Sequence, residues 1–167
     1  MADVTPTSGA AKSSDALRTL IANSATFQTA VGADDAAEAA AAIHIAAYTP
    51  DDPDDGWSRP FALIHRSTGG TARAVRTCAA TAGGELKVLF EKEISEAYRD
   101  DDQADNAQLE MENFVGDVID ECLALAASPG YLFVREMDIT DAPYRYASNE
   151  LKHVMACCIS VRYGLTG

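Results

Sequence analysis

Four aspartates occupy five positions in the stretch YTPDDPDDGWSRP, residues 48–60: Asp51, Asp52, Asp54 and Asp55. Carboxylates at that density could ligate a divalent cation, do acid–base work, or keep a connecting segment solvated. A calcium loop of the EF-hand type needs carboxylates at alternating positions and a distant bidentate glutamate. Pro53 interrupts the run, so the pattern does not fit. A second acidic run, Asp100, Asp101 and Asp102, stands just ahead of a long helical pattern, where carboxylates favour the positive helix end. Flexible loops rarely hold carboxylates in the fixed geometry that proton transfer requires. The expectation is therefore no enzyme, with no catalytic residue, metal or cofactor.

The other reactive side chains are scattered. His44, His65 and His153 are too far apart for a ligand motif and read as one helix histidine and two strand histidines. A pocket where His65 or His153 meets aspartates is what a small metal-dependent enzyme would require. Cys78, Cys122, Cys157 and Cys158 form no C-x-x-C pair. They read as reduced, small apolar residues, with a disulfide set as the alternative. The STGG at 67–70 reads as a hairpin turn rather than an anion loop, and no nucleotide-binding or nucleophile-elbow motif is present.

Composition narrows the classes further. The 167 residues carry 13 Lys and Arg against 26 Asp and Glu, a net charge of −13. Affinity for nucleic acid comes mainly from cations that neutralise phosphates, so broad nucleic-acid binding is disfavoured, as is an anionic membrane surface. No window approaches the roughly 18 apolar residues of a membrane span, and the N-terminus has no apolar signal core, so a cytoplasmic setting is expected. Against this acidic background Arg66, Arg73 and Arg76 gather in a glycine-bounded stretch. They belong either to an ordinary solvated loop or to an arm that reaches the acidic runs of a neighbouring copy. A contact of that kind sets register and orientation.

The elements that position these residues follow from periodicity. Residues 1–12 read as a loose tail and 13–167 as a single domain. SSDALRTLIANS predicts a helix capped by Ser13, Ser14 or Asp15, with Leu17, Leu20 and Ile21 in one stripe. SATFQTAVG predicts a second helix, opened by Ser24 and closed by Gly32. DDAAEAAAAIHIAAY predicts a third, with Asp34 and Asp35 at its start and Ile43 and Ala47 on one face. PFALIHR predicts a strand, 67–84 a long hairpin arm, and ELKVLFEKEI a strand with Leu86, Val88 and Phe90 on one side.

A solvated stretch precedes the strongest helix, residues 105–127. Its apolar stripe is Met111, Phe114, Val115, Val118, Ile119, Cys122 and Leu125. YLFVREMDI then predicts a strand, TDAPYRYASNE a loop, and LKHVMACCISVRYG a last strand. The order implies an α+β domain: a mainly antiparallel four-stranded sheet packed on one face by helices, with an extended hairpin arm.

That segment order resembles the tail terminator, or tail completion, proteins of long-tailed bacteriophages, prophages and gene transfer agents. LRTLIANSATFQTAVGA is similar to the family's opening helix pair, RPFALIHR to its first strand and GELKVLFEKEI to the partner strand. FVGDVIDECLALAASPGYLFVREMDI is similar to its long helix turning into a strand, and ISVRYGL to its closing strand. The resemblance covers roughly residues 15–165 and rests on apolar pattern and segment order.

It implies a structural virion protein of the tail and neck, assembled in the host cytoplasm. A hexameric ring would cap the tail tube, stop its polymerisation and join the head connector. The implied partners are further copies, the tail tube protein and a head-completion or connector protein. DNA would be only passing cargo, and no membrane is involved. A head-completion or stopper protein of the same neck is the closest rival. On this reading DDPDD links the helical part to the sheet and offers a neighbour's arginines a partner.

Overall fold

The structure is a computed structural model. It describes residues 5, 9–45, 57–65, 81–99, 101–127, 133–147 and 153–166. Among these, helix α1 spans Gly9–Ala22, α2 Ala25–Val31 and α3 Ala36–Ala39; strand β1 spans Ile43–Ile45, β2 Phe61–His65 and β3 Thr81–Glu93. Helix α4, Ala104–Ala126, is followed by β4, Phe133–Ala147, and β5, His153–Thr166. No described helix is long and apolar enough to cross a membrane.

The fold is α+β, as the element order predicts. The described strands form one sheet in the order β1-β2-β3-β5-β4, five strands rather than the expected four. All neighbours are antiparallel except β1, which runs parallel to β2.

The added strand comes out of the predicted third helix. Asp35 does cap α3, its carboxylate accepting from the Ala37 and Glu38 amides. The helix then tightens into a 3-10 turn at Ala40–Ala42 and gives way to Ile43, His44 and Ile45, paired with Ala62, Leu63 and Ile64. Alanine's helix propensity is a weak preference, and a β-branched pair beside an open sheet edge overrides it. Ala47, expected to share a helical face with Ile43, lies outside the described residues.

Three other boundaries move. Helix α1 begins at Gly9, so residues 9–12 are helical rather than tail, and Ser13 and Ser14 are buried inside the helix rather than capping it. Ala10, Ala11 and Lys12 are good helix formers and extend the pattern backwards. The expected arm ends earlier, because β3 already starts at Thr81; residues 66–80 lie outside the described set. Gly84 belongs to the ladder opposite Tyr163, and a Cβ there would come within 2.5 Å of the Tyr163 hydroxyl. That glycine makes room for a ring rather than a turn.

Strand β4 also continues through TDAPYRYA, expected to be a loop, because the first half of β5 supplies its partner. Three register shifts accommodate it, the last at Ala142 and Pro143, where a bulge tolerates a residue with no amide proton.

Helix α4 organises the core. Met111, Phe114, Val115, Val118, Ile119 and Cys122 are buried on one stripe, as the 3–4 spacing predicts. They share a cluster with Leu86, Val88 and Phe90 of β3 and Met155, Cys157, Ile159, Val161 and Tyr163 of β5. Leu17, Leu20 and Ile21 of α1 and Phe27 of α2 close the same cluster. Phe90 meets Phe114 edge-on at 5.9 Å and Phe27 at 6.3 Å between ring centroids, so one aromatic chain links β3, α4 and α2.

Helix α2 is clamped to α4 by one carboxylate. Glu121 accepts from the Ser24 hydroxyl at 2.6 Å, the Thr26 amide at 3.0 Å and the Thr26 hydroxyl at 2.8 Å. Ser24 in turn caps α2 by accepting from the Phe27 amide, and Gly32, at φ 70°, closes it in the left-handed conformation. Burial pushes the Glu121 carboxyl up, but the hydrogen bonds from Ser24 and from the Thr26 amide and hydroxyl outweigh it and hold it below the ordinary value of 4.5.

Glu121→Ala is expected to lower stability by about 1–2 kcal/mol, since it removes charge-assisted hydrogen bonds from a half-buried site. A folded value below the unfolded one places this contribution above pH 4.5, and it disappears as pH falls through the folded value. Urea unfolding of wild type and variant at neutral pH and near pH 3 checks both: the stability difference should shrink in acid.

Candidate functional site

Most of the residues that charge singled out fall outside the described structure: Arg66, Arg73, Arg76, Asp51, Asp52, Asp54, Asp55 and Asp100. Asp101 opens a 3-10 turn, Asp101–Gln103, that runs directly into α4, and Asp102 on that turn is exposed. Asp101 and Asp102 of the second acidic run therefore sit at the start of the long helix.

The histidines do not converge. His65 pairs with Lys87, and Lys87 with Ser160. His153 lies seven residues before Ser160 on β5, about 23 Å away along a strand that rises ~3.3 Å per residue. His44 is a strand residue on β1 rather than a helix residue, opposite Leu63. Among the described residues, no group of three or more His, Cys, Asp or Glu is placed to hold a metal ion.

His44 belongs to a constellation that the sequence reading missed. Its ring stacks on Trp57 with centroids 3.8 Å apart and planes 7° from parallel, and Phe61 meets Trp57 edge-on at 5.3 Å. Beside them the Arg59 guanidinium lies 5.8 Å over the Phe61 ring and pairs with Glu91 at 3.1 Å. Both partners are withdrawn from water, with side chains 5% and 11% exposed. Leu63, Leu89 and Ala156 continue this patch, which occupies the opposite pleat from Val88 and Phe90 and so the sheet face away from α4.

No spacing rule could have found this constellation. It brings together one residue of β1, three residues around the start of β2 and one of β3. Its chemistry is already consumed internally, because Arg59 is neutralised by Glu91 and covered by Phe61. It builds a rigid corner at the β1–β2 edge.

Cys122, Cys157 and Cys158 are free thiols. Burial pushes Cys122 and Cys157 up to about 12, so neither supplies a thiolate at neutral pH. An open groove of about 420 Å³ runs beside α2, lined by residues that include Thr26, Thr29, Ala30, Lys92 and Phe114. Lys92 pairs there with Glu110 and lies 5.6 Å over the Phe114 ring.

What the described surface offers is the outside of α4. This helix has no Lys or Arg in its 23 residues. Asp105, Asp117 and Asp120 are exposed on it, and Leu109 and Leu123 are exposed among them.

Burial, and secondarily Arg18, hold His44 below its ordinary value of 6.5. The unfolded chain therefore takes up the proton first, and the contribution of neutral His44 is present above pH 6.5 and lost as pH falls below it. His44→Phe keeps the stack without the titration. The expected result is a flatter dependence of the urea midpoint between pH 7.5 and 5.5 than in wild type; parallel curves would show that His44 does not contribute. Comparison of the chain with protein-family models and with curated proteins finds no match.

Proposed function

We propose that this protein is a structural component of a phage-type tail neck: a tail-terminator-like subunit that assembles into a hexameric ring, caps the tail tube, stops its growth and joins the head connector. The observation that carries this reading is the order of elements. Opening helices precede the strand pair β2 and β3, with α3 and the short β1 added between them, the long helix α4 packs on the sheet, and the strand pair β4 and β5 closes it. This is the order on which the resemblance to tail terminators rests.

Two surface properties support an assembly role. Strand β4 is 15 residues long and stands at the sheet edge, with bulges and with Asp138 and Asp141 exposed along it. Bulges and charges suppress indiscriminate strand pairing while leaving an edge that a specific partner can use. The charge of −13 per copy would repel DNA from a ring lumen and let it slide through as cargo. A lumen that proved basic in a structure of the ring would remove that part of the proposal.

Light scattering on the purified protein over a range of concentration and salt tests the reading. A species near six times the subunit mass of 17.7 kDa is expected, dissociating as salt rises. Addition to growing tail tubes should then arrest them at the end. A ring that leaves tube growth unaffected would favour the head-completion or stopper role. A monomer that neither associates nor binds tube ends would sink the structural reading.

A further inference from the structure

The outer face of α4 carries a pattern that the fold itself does not need. Leu109, Gly116 and Leu123 recur at intervals of seven and therefore line one stripe, opposite the buried one. Leu109 is 54% and Leu123 37% exposed, so both leucines stand out from the described residues of their own chain. Gly116 sits between them in mid-helix, where glycine costs about 0.8–1.0 kcal/mol relative to alanine. An added Cβ at Gly116 would meet nothing within 4 Å. Packing inside the subunit thus gives no reason for a glycine there. A flat spot between two exposed leucines does make sense if another backbone approaches the helix closely.

Charge identifies what approaches. Glu112, Asp117 and Asp120 flank the stripe, and α4 offers no cation. Pairing α4 with the α4 of another copy would set carboxylates against carboxylates. The longest stretch of this chain free of acid is 56–84, which contains Arg59, Arg66, Arg73 and Arg76. Between Arg66 and Arg76 its other side chains are small or aliphatic, including Ala72, Ala74 and Val75. Cations interleaved with small apolar groups complement acids interleaved with two leucines and a glycine.

We propose that the outer face of α4 receives the arginine-bearing segment, residues 66–76, of a neighbouring copy. This rests on the ring reading and deepens it. The receiving surface is the middle of α4, centred on Gly116, rather than only the acidic runs at 51–55 and 100–102.

The test separates folding from association, because the two respond with opposite sign. Gly116→Leu should raise the thermal stability of the dilute, dissociated subunit, since leucine favours helix and finds open space. The same variant should weaken self-association by about tenfold or more, because bulk fills the close approach. The double variant Asp117→Arg, Asp120→Arg should weaken association similarly. Adding Arg73→Asp and Arg76→Asp in the same chain should restore it, with sedimentation velocity as the readout.

Ring-sized species that persist unchanged in all these variants would overturn the α4 surface and leave the ring reading standing. Loss of association in Gly116→Leu with no response to the arginine changes would overturn the occupant, assigning the face to another part of the neighbour. Effects of the charge changes on stability alone, at constant mass, would place the segment on its own helix and overturn the contact between copies. A monomer at every concentration would overturn both this contact and the preformed ring.

Discussion

The packing of α4 across the sheet is the contact on which the other features depend. Seven of its side chains are buried on one stripe, against the inward pleat of β3 and β5. Fully burying a Val, Leu, Ile, Phe or Met side chain contributes about 1.5–3 kcal/mol, so this seam is a large source of stabilisation. It also determines where everything else can sit. With one face of the sheet taken by α4, α1 and α2 must close the same layer from the side, which Phe27 does by meeting Phe90. The opposite stripe of α4 is then turned to solvent.

Polar interactions refine this arrangement rather than create it. Glu121 fixes how α2 lies on α4 by satisfying orphan donors at a helix start, where a carboxylate is favoured. Arg18 reaches from α1 to the Ala40 carbonyl at 2.8 Å and holds the turn that leads into β1. The Arg59–Glu91 pair is nearly dry, and a buried ion pair contributes little net stability because desolvation offsets its attraction. Its effect is geometric: it locks Trp57 and Phe61 into the corner that supports the short parallel strand.

A consistent division of labour emerges. Arg59 and Glu91 are engaged with one another and the buried thiols are protonated, while the described surface of α4 and β4 carries acidic groups and exposed apolar side chains. A protein so charged repels copies of itself at random orientations. The proposed ring of identical subunits would need a cationic segment to meet this acidic surface.

The amino-acid sequence alone determined the elements whose burial pattern is one-sided and long. The stripe Met111–Cys122 predicts α4, the alternation of Leu86, Val88 and Phe90 predicts β3, and Ser24 and Gly32 bound α2 by cap chemistry that acts within a few residues. Tertiary structure alone decided what depends on a distant partner. Ile43–Ile45 leave an alanine-rich helical pattern because β2 offers an edge, and TDAPYRYA becomes strand because β5 runs alongside it. His44, Trp57, Arg59, Phe61 and Glu91 form one cluster because pairing of β1, β2 and β3 brings them together. Local signals record a residue's preference for its own backbone and neighbours. Strand pairing is a contest among segments far apart in the chain, and its outcome is written in no single segment.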